Sequence, residues 1–364
     1  MSALPLDLPP PDPRQRLKAR GAASTPKGRF EPWERVIEDD GWDMVEEERL
    51  LRTEITVEHP RSIITRNDSP DVPFDRSVNP YRGCEHGCIY CFARPTHGYL
   101  GLSAGLDFET RIVAKPEAPE LLARELSKRG YAPAVLAIGT ATDPYQPAEA
   151  KMGIMRRLLE VLRDFGHPVA IVTRGAGVLR DLDILSEMAA RGLVHVGISL
   201  TTLDEDLARK MEPRAPAPQT RLRMMRELSR AGVPLRGMAA PIIPGLTDHA
   251  LEAILTEARR AGARAASYIP LRLPHEVAPL FADWLARHTP ARAERVLNAI
   301  AAFRGGKLND PRFGSRMEGE GTEAELLARR FEVSCRRLGF GTLPPLDLTQ
   351  FRVPPRAGDQ LELF

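Results

Sequence analysis

The chain has 364 residues, of which 43% are hydrophobic and 27% charged, with a formal net charge of +2. This supports a sizeable core and excludes a disordered or collagen-like chain, and the balanced charge gives no whole-chain field for nucleic acid or a membrane. Three of the four cysteines fall within eight residues, unlike the spread pairs of a disulfide scaffold. With no signal-like opening and no apolar run near the roughly 20 residues of a membrane span, a soluble cytoplasmic protein is expected.

Residues 1–30 are rich in Pro and poor in apolar anchors, and predict a disordered tail. Residues 31–74 form an N-terminal extension, with a short helix from about Pro32 to Leu51 and an extended stretch over Glu54–Thr65. The pattern then changes. Apolar, β-rich runs occur at Ala134–Gly139, Val169–Thr173, Val194–Leu200, Leu235–Ala240 and Ala265–Ile269. Helical patterns fall between them at Pro119–Lys128, Ala148–Phe165, Leu179–Arg191, Gln219–Ala231 and His249–Ala261. Gly130, Gly192 and Gly232 sit where left-handed helix caps are wanted.

Such alternation predicts a parallel sheet covered by helices. With one more strand just before Cys84 there are about six βα units. The fold class is therefore α/β, a partial (βα)6 TIM-like barrel over residues 75–272, with its chemistry at the carboxyl ends of the strands. Residues 273–340 read as a mainly helical C-terminal region. Its last helix runs from about Glu323 to Leu338, with Thr322 and Glu325 as a capping box. Residues 341–364 are Pro-rich and read as a flexible tail.

The densest chemistry is Asn79-Pro-Tyr-Arg-Gly-Cys84-Glu-His-Gly-Cys88-Ile-Tyr90-Cys91-Phe. Three thiols in a glycine-punctuated loop can hold three corners of an iron–sulfur cubane, leaving one iron open to a ligand. A Cys3His zinc site completed by His86 or His97 uses the same residues. The aromatic inside the final spacing and the position after the first barrel strand favour the cluster.

This stretch resembles the radical SAM superfamily, whose signature is C-x3-C-x-Φ-C with an aromatic where Tyr90 stands. More narrowly, residues 75–270 resemble the branch related to spore photoproduct lyase, a DNA-repair group. The resemblance implies a [4Fe-4S] cluster on Cys84, Cys88 and Cys91, with S-adenosylmethionine on the fourth iron. It also implies reductive cleavage to a 5′-deoxyadenosyl radical, a flavodoxin- or ferredoxin-type electron donor, and a nucleic-acid-linked substrate. Thr142 and Asp143 then fall where the SAM ammonium is held, although Asp143 is also placed as the helix cap before Pro144. Arg174 falls where the lyase has a Lys for the SAM carboxylate, and that exchange is not neutral.

Ser199 and Thr201 match a ribose contact and are also suited to cap the helix beginning near Asp204. Pro241 lies in a segment that can offer backbone atoms to adenine. The lyase's hydrogen-donor cysteine has no counterpart, because no Cys lies between Cys91 and Cys335. Cys335 is the one remaining candidate, yet it sits in an apolar stripe with Leu327, Phe331 and Leu338, as a buried structural residue does. Finally, Gln360, Leu361, Leu363 and Phe364 resemble the short peptide by which bacterial replication and repair proteins dock on the DNA sliding clamp. Folding back onto the barrel is the alternative for that segment.

Overall fold

The protein's structure, a computed structural model, describes residues 19–26, 29–30 and 51–355. Within them the strands in chain order are β1 (Glu54–Val57), β2 (Ile64–Arg66), β3 (Arg76–Val78), β4 (Tyr81–Arg82) and β5 (Arg111–Ala114). They continue with β6 (Leu136–Ile138), β7 (Val169–Thr173), β8 (Val194–Ser199), β9 (Leu235–Ile242) and β10 (Ala265–Pro270). A small sheet has the order β1-β5-β4, and the main sheet the order β10-β9-β8-β7-β6-β3-β2. From β3 to β10 every neighbouring pair in the main sheet is parallel, while β2 is an antiparallel edge on β3.

Each new parallel strand adds beside the previous one, so the sheet winds in one direction and never reverses. That is barrel winding, and six parallel strands leave it open between β10 and β2. The expected partial (βα)6 barrel is present. Apolar runs such as Leu136-Ala137-Ile138 are wholly buried because helices cover the outer face and side chains fill the inner one. Gly130, Gly192 and Gly232 adopt φ of +80°, +67° and +81°, as helix-end glycines should.

Several local expectations are revised. The helix expected over Ala148–Phe165 is two helices, Glu149–Met152 and Ile154–Asp164, joined at Gly153. The Glu149 carboxylate accepts from the backbone NH groups of Ile154 and Met155, which starts the second helix afresh. The last helix is Thr322–Leu338, but Thr322 is already its first helical residue and Gly321 its cap. No side-chain cap bond forms, so the expected capping box is absent.

Both expected tails are partly wrong. Residues 20–23 of the supposed disordered segment 1–30 are buried against the cysteine loop. The described part of 341–364 crosses the amino ends of the strands. There Gly341 NH bonds the Arg264 carbonyl, Asp347 NH that of Gly192 and Arg352 NH that of Phe165. Phe351 packs with Tyr131, Phe165 and His167. A few apolar and backbone anchors suffice to dock a Pro-rich segment on a preformed surface. The helix expected over Pro32–Leu51 falls almost wholly outside the described residues, and so do Gln360, Leu361, Leu363 and Phe364.

The helical C-terminal region packs on the carboxyl-end side of the barrel. Helices Val277–His288 and Ala293–Ala302 share one apolar cluster with Cys88, Ile89 and Tyr90. Trp284 is fully buried there and donates through Nε1 to the Lys210 carbonyl at 3.0 Å. Among the described residues, no helix is long and apolar enough to cross a membrane.

Candidate active site

The chain leaving β3 turns through β4 into the cysteine loop, which is stapled from several sides. Cys84 NH bonds the Phe108 carbonyl at 2.9 Å, and Gln146 brackets the turn by accepting from Glu85 NH and donating to the Gly83 carbonyl. The fully buried Arg94 donates to the carbonyls of Cys88, Gly87, Ala104 and Gly105 and pairs with Glu109. Glu109 in turn accepts from the NH groups of Gly21 and Ala22 at 2.9 and 2.8 Å. Gly21 lies so close that a Cβ there would sit 1.9 Å from the Gly87 oxygen. The N-terminal segment is thus part of the loop's wall.

Cys84 and Cys88 are buried and Cys91 is half-buried, and none forms a disulfide. Burial pushes the Cys84 thiol well up, and the neighbouring Asp143, Cys88 and Cys91 add to the shift. Burial likewise pushes Cys88 up to about 12, against the pull of Arg174. The two buried thiols, Cys84 and Cys88, resist ionisation by themselves, and bound metal cations would supply the missing positive charge. In that respect the donor set fits an iron–sulfur cluster. Among the described residues, no three His, Cys, Asp or Glu side chains gather to hold a single metal ion. His97 has Nε2 at 3.0 Å from the Arg111 carbonyl, while its buried Nδ1 has no hydrogen-bond partner among the described residues.

Beside Cys88 lies a buried ionic network centred on Glu212. Its Oε1 accepts from Tyr90, from Thr201 at 2.9 Å and from Arg174 Nη1 at 2.7 Å, while Oε2 pairs with Arg221. Burial opposes a charged Glu212, but Arg221 and Arg174 hold its carboxyl down at about 2. Arg174 Nη1 also reaches Cys88 Sγ at 3.2 Å and Tyr90 Oη at 2.6 Å. All the hydrogen bonds of this guanidinium among the described residues pass through Nη1, which leaves Nε and Nη2 for a ligand. By residue pattern alone Glu212 is an ordinary helix exit and Arg221 a solvated cation, whereas both are buried. Lying just past a helix end, Glu212 carries no periodicity to mark it, and its partners come from two strand ends, the cysteine loop and the following helix.

Asp143 sits on the loop after β6. Its Oδ1 accepts from Thr173 Oγ1 at 2.6 Å and from Tyr145 NH at 2.9 Å, and its Oδ2 accepts from Arg174 NH at 2.8 Å. Burial would raise its pKa, yet His86, 3.5 Å away, and these bonds hold it down at about 2. Asp143 therefore ties the β6 and β7 ends together and closes a turn on Tyr145 NH; it is not the expected helix cap, because the next helix begins only at Glu149. Thr142 is buried, with its hydroxyl donating to the Tyr81 carbonyl.

Ser199 and Thr201 are buried at the end of β8. Neither caps the next helix, because the Asp204 side chain accepts from the NH groups of Asp206 and Leu207. Pro241 lies in β9, beside the Ala240 carbonyl that Thr201 approaches at 3.4 Å. These candidates converge on the carboxyl ends of the strands. Cys335 is placed apart, half-buried in Thr322–Leu338, where it packs on the main core with Leu327, Phe331 and Leu338.

Residues 78–258 match the family model for the Radical SAM superfamily. This match, over just under half of the chain, identifies the barrel region as similar to that superfamily. An uncharacterized protein of Mycobacterium tuberculosis is 38% identical over 226 residues, 62% of this chain and 66% of the relative. The match thus spans slightly less than two thirds of that relative's length. An uncharacterized protein of Methanocaldococcus jannaschii is 25% identical over 171 residues, 47% of this chain and 61% of the relative.

Two solved mutants of spore photoproduct lyase share the fold. One aligns with a TM-score of 0.58 at 16% identity over 79% of this chain and 80% of its own. The other, with bound AdoMet and dinucleoside spore photoproduct, aligns with a TM-score of 0.58 at 15% identity over the same shares.

Proposed function

We propose that the protein reductively cleaves S-adenosylmethionine at a [4Fe-4S] cluster held by Cys84, Cys88 and Cys91, and acts on a nucleic-acid-linked substrate. The observation that carries this reading is the three-thiol loop, buried, stapled by Arg94 and open beside Arg174 at the carboxyl ends of a radical SAM barrel. When bound, the cluster and AdoMet supply a 5′-deoxyadenosyl radical for hydrogen abstraction. The protein's own residues do the rest. Arg174 offers Nε and Nη2 to the AdoMet carboxylate while Glu212 fixes its Nη1. Thr142 and the Asp143 loop bound the ammonium side, Ser199 and Thr201 the ribose side, and the backbone around Pro241 the adenine. Tyr90, tied to Glu212, supports the floor beneath Cys88.

The nucleic-acid part draws support from the lyase fold, one solved example of which holds a dinucleoside photoproduct. A flavodoxin- or ferredoxin-type donor is proposed as the electron source. The segment Gln360, Leu361, Leu363 and Phe364 is proposed as a sliding-clamp peptide, testable by loss of clamp binding in Leu363→Ala/Phe364→Ala. The decisive experiment is anaerobic purification, with iron assay and product analysis. About four irons per chain and 5′-deoxyadenosine released on reduction with AdoMet are expected. A colourless zinc protein that leaves AdoMet intact would defeat the proposal.

A further inference from the structure

Arg272 follows β10 by two residues, at the carboxyl end of the last barrel strand. Its neighbours Leu271 and Leu273 share the apolar cluster of Cys88, Ile89 and Tyr90, which sets it against the cysteine loop. Its guanidinium lies over the ring of Phe92, the residue after Cys91, at 5.1 Å from the centroid. Arg272 is half-buried, yet it makes no hydrogen bond and no ion pair among the described residues. Its one nearby carboxylate, Asp71, is already taken: Oδ1 accepts from Gly314 NH at 2.7 Å and Oδ2 pairs with Arg316.

The surroundings add cations. Arg304 is 2% exposed and spends its Nη atoms on the carbonyls of Pro270, Leu271, Ser315 and Arg316, while its buried Nε has no partner. Asp310 and Glu320 are both engaged by Arg312. Burial lowers the pKa of Arg272, and Arg316 lowers it further. A half-buried cation without a counter-ion, beside two more arginines, is costly in the free protein and becomes favourable when an anion arrives. Phe92 is 49% exposed, which leaves part of its ring open to a stacking partner.

We propose that Arg272 and Phe92 form a substrate subsite, with Arg272 pairing a phosphate and Phe92 stacking the adjoining base of a single-stranded or extruded nucleotide. This rests on the nucleic-acid reading above and assigns that substrate a place. A phosphate next to a planar ring is the chemistry that a guanidinium beside an exposed aromatic recognises. Arg174 contacts Cys88 and Arg272 contacts Phe92, so the proposal assigns the two cations to different anions.

The test uses the anaerobically reconstituted holoprotein with AdoMet, and fluorescence anisotropy of short fluorescein-labelled single-stranded DNA and RNA oligonucleotides. Arg272→Ala is expected to weaken binding about tenfold or more. It should also reduce the slope of log affinity against log salt by about 0.7, the loss of one phosphate contact. Phe92→Leu is expected to weaken binding about fivefold or more while leaving the salt slope unchanged. AdoMet affinity should stay the same in both variants, and the melting temperature of Arg272→Ala should not fall.

Oligonucleotide binding by the wild type with equal binding by Arg272→Ala overturns the subsite but leaves the nucleic-acid reading standing. A lowered melting temperature with unchanged binding makes Arg272 structural, and lost AdoMet affinity moves it to the cofactor; either outcome also overturns the subsite. If the wild type binds neither oligonucleotide, the subsite and the nucleic-acid reading both fail, while AdoMet cleavage is judged separately by 5′-deoxyadenosine.

Discussion

Glu212 shows how much one buried carboxylate organises. It meets two arginines, a tyrosine and a threonine drawn from different segments, and its charge survives burial only because all of them point at it. Arg174 inherits a fixed orientation from that network. Arg174→Ala is therefore expected to weaken AdoMet binding about tenfold or more, read by isothermal titration, since a charge-assisted bond is worth about 1.5–3 kcal/mol. Unchanged affinity would remove Arg174 from the cofactor site. Among the cysteines, Cys84→Ala, Cys88→Ala and Cys91→Ala should each abolish iron retention. Cys335→Ala should retain iron, because its thiol packs in the barrel core and is pushed up to about 11 by burial. Iron lost from the Cys335 variant would show the ligand set to be wrong.

At the level of elements, two segments outside the barrel repeat hold its two ends. On the cysteine side, Arg20, Gly21 and Ala22 bind Glu109 and its carbonyl, and Glu109 pairs with Arg94 under the cysteine loop. Gly21→Ala would drive a methyl group into the Gly87 carbonyl. It should dislodge the segment and speed iron loss to a chelator, while circular dichroism shows the barrel still folded. A rate equal to wild type would mean that the segment only covers the loop.

On the opposite end, Phe351 lies edge-on to His167. The His167 Nδ1 faces the Pro168 carbonyl at 3.0 Å and Nε2 the Tyr131 hydroxyl at 2.9 Å, a network that suits the neutral ring. Burial lowers its pKa from 6.5 to about 4. A depressed histidine leaves stability intact above pH about 6.5 and removes it as pH falls towards 4. The full loss is about 3 kcal/mol, at roughly 1.4 kcal/mol per pKa unit. Denaturant melts of wild type and His167→Gln between those pH values should differ in slope, with the variant flatter. Parallel curves would clear His167 of the acid sensitivity.

The whole molecule places its chemistry between two layers, the barrel mouth and the helical C-terminal region. Cys88, Ile89 and Tyr90 bury against Phe281, Trp284 and Val296, so the floor of the site belongs to both layers. Trp284→Ala is expected to cost about 3–5 kcal/mol by cavity formation and to leave the Lys210 carbonyl without its donor. Because Lys210 and Met211 lead directly into Glu212, AdoMet affinity should fall along with the melting temperature. A stability loss with intact affinity would mean that the two layers act independently.

The barrel, its six parallel strands and the three-thiol loop are legible in the order of the amino acids alone. Apolar runs alternating with helical stripes, and a dense C-x3-C-x2-C spacing, are local signals that survive without any knowledge of contacts. Only the tertiary structure revealed the Glu212 network, the docked segments over residues 20–23 and 341–352, and the unpaired Arg272. Glu212 looks like a helix exit, Arg221 like a surface cation and Arg20-Gly21-Ala22 like part of a disordered tail. Their roles arise from partners that local sequence does not mark, from 9 residues away for Arg221 and Glu212 to 87 for Ala22 and Glu109, and burial of a polar group is set by what the fold brings to it.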